Sequence, residues 1–164
     1  MLPPSIIVMA EDMSKKSPKI ANLIKDCNGL HDPHYTGFFK CFNQQLYYEA
    51  HDVLEELWLQ QKNHPAYHYY KGLIQAAGGF VHLKLHFTHP THHVHGKRLE
   101  PAAKLFALAR KNLLPYSPVY MDLPIAPLIR LLDEYEDKVR AGNFLLNPYH
   151  PDSAPEIIFP LKPI

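Results

Sequence analysis

Apolar residues recur at helical spacing in four segments of the chain, and no segment shows the strict alternation typical of a strand. The first segment, 39–61, has apolar residues three or four positions apart, which places them in one stripe. The stripe consists of Phe42, Leu46, Ala50, Val53 and Leu57. This pattern predicts one amphipathic helix over 39–61. Asn63 and Pro65 then mark its end and the start of a second helix.

The remaining three segments also predict helices. Segment 66–87 has a broad apolar arc and should be buried on most of its circumference. Segments 100–114 and 126–141 are bounded by residues that favour helix ends, with Pro115 after the former and Gly142 after the latter. The β-capable run 157–159 stands between prolines, so we expect an edge segment or a strap packed on the body.

Proline positions divide the chain into three parts. Residues 1–37 form an N-terminal arm with a possible short helix around 19–25, residues 38–142 form the helical domain, and 143–164 form an extended Pro-rich tail. The predicted fold is a single all-α domain, a helical bundle built on a central antiparallel hairpin of the first two helices. The other two helices pack against this hairpin, and the tail packs on the surface.

Composition excludes several functional classes. The chain has 164 residues and a net charge of +1, which argues against a general nucleic-acid binder. No stretch approaches the roughly 20 apolar residues that a membrane-spanning helix needs. The apolar run near the start is short, lacks basic residues and ends at Glu11, unlike a signal peptide. Together with the two cysteines, these features predict a cytoplasmic protein without membrane or nucleic-acid partners.

The most informative chemistry lies on the first predicted helix. At 100° per residue, His51, Glu55 and Trp58 fall within about 60° of one another, and Tyr47 lies on the same side. This face is nearly opposite the aliphatic stripe. A third, acidic face that we expect to be solvated carries Glu49, Asp52 and Glu56.

Two interpretations of His51 and Glu55 remain open. An imidazole and a carboxylate four residues apart can supply two ligands to one metal ion. Alternatively, Glu55 hydrogen-bonds His51, and the pair satisfies itself beneath Trp58 as part of the packing. A single tryptophan on a helix is itself more often a packing residue than a functional lid.

A second polar stripe runs along the second predicted helix, opposite its apolar arc. It contains His68, Lys71, Gln75, Gly79, His82 and His86. An antiparallel hairpin could bring Gln75, Gly79 and His82 to His51 and Glu55, and three protein ligands with one open position are typical of catalytic metal sites. The adjacent glycines 78–79 suggest close approach of a helix or a ligand. The alternative is that this stripe faces solvent.

Histidine is unusually abundant, with 12 residues in the chain. Five of them fall within 86–95, between the second and third predicted helices. Such a bias is associated with metal binding, but a flexible loop pre-organises no site. We expect an exposed, mildly basic loop that gains charge as the pH falls below about 6.5.

Segments 42–58 and 70–75 resemble domain of unknown function family 309, a family of small bacterial and archaeal proteins. Its signature of a His, three residues, a Glu, two residues and a Trp or Tyr is matched by His51, Glu55 and Trp58. The stretch 71–75 and His82 resemble the family's second helix, and the likeness covers about 38–114. The resemblance implies an all-helical fold, a motif suspected of binding metal, and no established activity.

These observations lead to two functional hypotheses. In the first, a polar pocket binds a divalent metal through His51, Glu55 and His82, with Gln75 orienting a ligand and Trp58 as a wall. If the protein is an enzyme, metal-assisted hydrolysis is the natural reaction class, with no substrate implied. In the second, the protein is a helical interaction module or homodimer, and the motif is structural.

Overall fold

The computed structural model describes residues 13–159, with side chains from residue 17 onward, and it is predominantly helical. Its helices are α1 (Met13–Ile24), α2 (Pro33–Asn43), α3 (Tyr47–Leu59), α4 (Tyr67–Thr88), α5 (Leu99–Leu113) and α6 (Ile125–Ala141). A small antiparallel ribbon, β1 (Val119–Tyr120) and β2 (Leu123–Pro124), precedes α6. The prediction of a single all-α domain is confirmed.

The predicted helix over 39–61 is wrong as a single element, because α2 and α3 occupy this region with a break between them. The backbone of Gln45 has a φ of 60°, which no α-helix contains. The amide of Leu46 donates to the carbonyl of Cys41 at 2.9 Å, which closes the end of α2. The apolar stripe continues across this break, and so it conceals the break from a reading of periodicity.

The other predicted helices agree closely with α4, α5 and α6, while α1 begins earlier than the predicted 19–25. Helix α2 starts where the side chain of Asp32 accepts a hydrogen bond from the amide of His34 at 2.8 Å. Pro33 occupies the first turn, where its missing N–H leaves no donor unsatisfied. A side-chain cap and a proline therefore explain the start of α2.

Helix α4 lies at the centre of the bundle, packed against α3 and, most extensively, against α5. A chain of buried aromatic rings connects four helices through Phe80 of α4. Tyr47 of α3 stacks on Phe80 with ring centroids 5.2 Å apart. Phe106 of α5 and Tyr135 of α6 meet the same ring edge-on at 5.2 and 5.0 Å. These rings fix how α3, α5 and α6 are arranged around α4.

Within the bundle, α5 and α6 are also joined by a buried carboxylate. Glu136 is only 6% exposed and accepts hydrogen bonds from Arg110 at 3.0 Å and from Arg140 at 2.8 Å. Arg110 pairs with Asp133 as well. Because a buried charge is tolerated when it is paired and hydrogen-bonded, these contacts compensate for the burial of Glu136.

Several residues of the described part of the tail contact the body. The side chain of Asn43 donates to the carbonyl of Ile157 at 2.8 Å and accepts from its amide at 2.7 Å. Phe159 stacks on Phe39 at 4.2 Å between ring centroids. Upstream, Asn147 donates to the carbonyl of Leu83 at 2.7 Å. Residues 160–164 of the predicted tail lie outside the described residues.

Asn43→Ala tests how the tail is held. The variant removes both hydrogen bonds to Ile157, so we expect a loss of about 1–2 kcal/mol in unfolding free energy. We also expect faster hydrogen exchange at the amide of Ile157, because its acceptor is gone. Asn63→Ala, an exposed position in the α3–α4 connection, is the matched control. Unchanged exchange at Ile157 would mean that contacts other than these two hydrogen bonds protect this part of the tail.

None of the helices within 13–159 combines the length and hydrophobicity that crossing a membrane requires. The apolar run near the start of the chain, on which the expectation about a signal peptide was based, lies outside the described residues.

Candidate functional site

The centre of α3 holds a buried imidazole between two buried carboxylates. The ring of His51 lies with Nδ1 3.2 Å from Oδ1 of Asp52 and with Nε2 3.5 Å from Oε2 of Glu55. The residues are 8%, 8% and 5% exposed, respectively. All three belong to one helical element, so their backbones hold them in fixed relative positions. We call these three residues the His51 cluster.

The expected solvated acidic face is wrong for Asp52, which is buried beside His51. The other two acidic residues of that face are partly covered by α1 and the start of α2. Glu49 lies 3.7 Å from Nζ of Lys19, and Glu56 lies 3.7 Å from Nε2 of His34. The apolar pattern of α3 did not predict that these two carboxylates are partly covered. The side chains that cover them, Lys19 and His34, are themselves polar and gave no hydrophobic signal.

The tyrosine beside His51 is Tyr48, and the predicted pocket residue Tyr47 lies in the core against Phe80. The ring of Tyr48 is stacked near that of His51, with centroids 6.3 Å apart and an angle of 21°. Burial, followed by the negative charges of Asp52 and Glu55, raises the pKa of the Tyr48 hydroxyl. Tyr48 is therefore a neutral, half-exposed side wall of the His51 cluster.

Trp58 packs where α3 meets α4. Its indole is 4% exposed and stacks on the ring of Tyr67 at 5.1 Å, with 26° between the planes. Its Nε1 is buried without a hydrogen-bond partner in the described part of the chain. The aromatic position of the motif thus covers the end of the helix hairpin, one helical turn beyond Glu55.

In the polar stripe of α4, Gln75, Gly79 and His82 contact α5 or the residue before it, and not His51 or Glu55. The side chain of Gln75 accepts a hydrogen bond from Asn112 at 2.7 Å. At Gly79, an added Cβ would lie 2.3 Å from the ring of Phe106. Nδ1 of His82 lies 3.0 Å from Arg98. Helix α3 packs on a different side of α4, where the apolar arc provides the contact.

His82 therefore has a guanidinium as its neighbour. Burial, with a further contribution from the charge of Arg98, lowers the pKa of His82 to about 4. The imidazole is neutral at physiological pH. Within 13–159, no three His, Cys, Asp or Glu side chains converge in a way that could hold a metal ion, so His51, Glu55 and His82 do not form the predicted three-ligand arrangement. An open surface depression of about 560 Å³ is lined by 59–65 and contains none of these residues.

The geometry of the His51 cluster nevertheless suits a two-ligand site. Two ligands at the roughly 2.0–2.1 Å distances of tetrahedral zinc are about 3.4 Å apart. The observed distance between Nε2 of His51 and Oε2 of Glu55 is 3.5 Å, longer than an ordinary N–H···O hydrogen bond. Asp52 lies beside the other ring nitrogen, where a carboxylate orients a metal-binding histidine.

Residues 35–89 match the family described as domain of unknown function (DUF309). This segment contains α3, α4 and most of α2, and therefore the whole His51 cluster. This match supports the resemblance to that family, and we call residues 35–89 the DUF309 segment. Helices α5 and α6, which cover the other sides of α4, lie beyond the DUF309 segment. The chain has no significant match among curated proteins or solved structures.

Sequence reasoning missed Asp52 and Tyr48 for different reasons. Asp52 follows His51 directly and was assigned to the acidic face by its angle on the helix, although a ring nitrogen can reach the neighbouring carboxylate. Tyr47 and Tyr48 lie about 40° and 60° from His51 around the helix, on opposite sides of it, so spacing alone could not decide which ring lies beside the imidazole.

Proposed function

We propose that the DUF309 segment binds a divalent transition metal through Nε2 of His51 and Oε2 of Glu55. The observation that carries this proposal is the orientation of one imidazole, with Asp52 beside Nδ1 and Glu55 beside Nε2. A carboxylate that accepts from Nδ1–H fixes the tautomer in which Nε2 is free to coordinate. Imidazole and carboxylate together suit Zn²⁺ and related ions.

Each residue of the His51 cluster has a separate role in this proposal. His51 and Glu55 supply the two protein ligands, and Asp52 positions the ring of His51. Tyr48 borders the site as a hydroxyl that stays protonated because its pKa is raised. A bound metal would leave positions for water or a ligand, and it would supply a Lewis acid of the kind used in hydrolysis. Burial of the three side chains restricts access and keeps their positions fixed.

The test is a Zn²⁺ titration of protein purified without a histidine tag, followed by calorimetry and by the melting temperature. We expect His51→Gln and Glu55→Gln to remove one binding event. Asp52→Asn should keep that event but weaken its affinity by about 10- to 100-fold. His68→Gln, an exposed histidine of α4, is the matched control for histidines that bind zinc without a defined site.

Any zinc bound by the histidine-rich loop, 86–95, would be common to all of these proteins, so the difference between them reports the His51 cluster. An identical titration for wild type, His51→Gln and Glu55→Gln would contradict the proposal. If the two variants lost stability without any metal effect, the pair would instead be a structural contact of α3, as in the alternative of an interaction module with a structural motif.

A further inference from the structure

Several histidines do in this chain what asparagine or aspartate does in ordinary turns. Nδ1 of His64 accepts a hydrogen bond from the amide of Ala66 at 3.0 Å, two residues further on. His150 does the same for the amide of Asp152 at 3.1 Å. Asx side chains stabilise turns by this same bond to the backbone two residues later. Unlike them, an imidazole can make the bond only while its Nδ1 is unprotonated.

In the connection between α4 and α5, the imidazole nitrogens make a series of hydrogen bonds to backbone amides and to one arginine side chain. Nδ1 of His92 accepts from the amides of Val94 at 3.1 Å and His95 at 3.2 Å. Nδ1 of His95 accepts from Nε of Arg98 at 2.7 Å, and the same guanidinium reaches Nδ1 of His82 at 3.0 Å. The bonds thus run from the loop through Arg98 to α4. We call His82, His92, His95 and Arg98 the histidine latch.

The guanidinium of Arg98 opposes the protonation of both His82 and His95. Arg98 acts on both rings, and the rings of His89, His92 and His93 also act on His95. Desolvation and these neighbours lower the pKa of His95, and His82 is lowered to about 4. The rings of His92 and His95 are stacked with centroids 4.6 Å apart, so two imidazoliums there would repel strongly.

We propose that the histidine latch makes the α4–α5 connection an acid-responsive segment, closed when its imidazoles are neutral and opened when His92 and His95 are protonated. Protonation of Nδ1 replaces an acceptor with a donor, and the amide or guanidinium N–H bonds to that atom are lost. Lys97 and Arg98 already carry positive charge in this segment, and the four histidines in 89–95 add up to four more. Loss of the bonds and mutual repulsion both favour the open form.

The experiment is measurement of ¹⁵N order parameters on the full chain between about pH 7 and about pH 4.5. For wild type, we expect the amides of 93–97 to fall from rigid values near 0.85 to flexible values below about 0.6. The amides of α4 and α6 should keep their values, which shows that the bundle stays folded at the lower pH.

The decisive variant is His92→Asn, because the asparagine oxygen can cap the amide of Val94 without titrating. We expect the connection of this variant to stay ordered at the lower pH. His68→Asn, an exposed histidine outside the latch, should respond like wild type. The proposal is overturned if 93–97 keeps its order in the wild type, or if His92→Asn opens to the same extent. If His92→Asn disturbs the loop at neutral pH, His95→Gln, which retains an acceptor for Arg98, decides in the same way.

Discussion

Gly79→Ala is expected to destabilise the protein by about 3 kcal/mol, because an added Cβ there makes the closest approach found at any glycine of the described residues. An added Cβ would lie 2.3 Å from Cε1 of Phe106, with Cδ1 and Cζ of the same ring at 2.7 and 2.8 Å. The ring cannot move aside easily, because Phe106 is fully buried and packs against Phe80. The added methyl group at position 79 therefore separates α4 from α5 or distorts the aromatic core.

Gly78→Ala provides a matched control one residue away. The nearest atom to its added Cβ is Cδ1 of Leu105 at 3.3 Å, the end of a flexible side chain that is only partly buried. Alanine favours a helix interior over glycine by up to about 1 kcal/mol. We expect Gly78→Ala to leave stability unchanged or to raise it slightly, since the gain in helix propensity is offset by a small shift of Leu105.

Urea unfolding followed by circular dichroism measures both variants. The midpoint should fall for Gly79→Ala and stay level or rise for Gly78→Ala, with similar m values. Equal changes at the two positions would contradict the argument, because helix propensity is the same at both and only the contact with Phe106 differs. A small loss at Gly79 alone would show that α5 can shift without disturbing the core.

Sequence periodicity predicted the helices whose ends carry strong local signals. Helices α4, α5 and α6 follow prolines or end near glycine or proline, and their bounds agree closely with the prediction. The break between α2 and α3 was missed because the left-handed residue is Gln45. Glycine or asparagine normally marks such a position. Glutamine is not a typical marker, and the apolar stripe continues on both sides.

The candidate site was predicted only as far as a single helix determines it. Spacing of four residues placed His51 beside Glu55. Spacing also placed Gln75, Gly79 and His82 on one face of α4, but it could not decide which neighbour that face meets. In the structure this face packs against α5, where Gly79 allows close approach and Asn112 and Arg98 satisfy the polar side chains. The identity of a neighbour depends on the packing of the whole bundle.

Acidification is expected to destabilise the protein through His82. Burial and Arg98 lower the pKa of this imidazole to about 4 in the folded state, while an unfolded histidine titrates near 6.5. Below pH 6.5 the unfolded chain therefore binds a proton that the folded protein excludes. Stability from this group is complete above pH 6.5 and is lost as the pH falls towards 4, by about 3 kcal/mol in total.

His82→Asn isolates this contribution, because the asparagine oxygen can replace Nδ1 as an acceptor for Arg98 without titrating. We expect the variant to be less stable than wild type near neutral pH, since the smaller side chain packs less well. Its unfolding free energy should then fall less steeply between about pH 7 and pH 4, and the difference in slope from wild type measures the proton linkage.

His68→Asn serves as the control, because His68 is exposed on the first turn of α4. Its stability should follow the same pH profile as wild type. Parallel profiles for wild type and His82→Asn would contradict the assignment, because they would mean that His82 binds its proton equally well in the folded and unfolded chains. The contact between His82 and Arg98 would then not disfavour protonation of His82. The acid sensitivity of the protein would have to arise from its other ionisable groups.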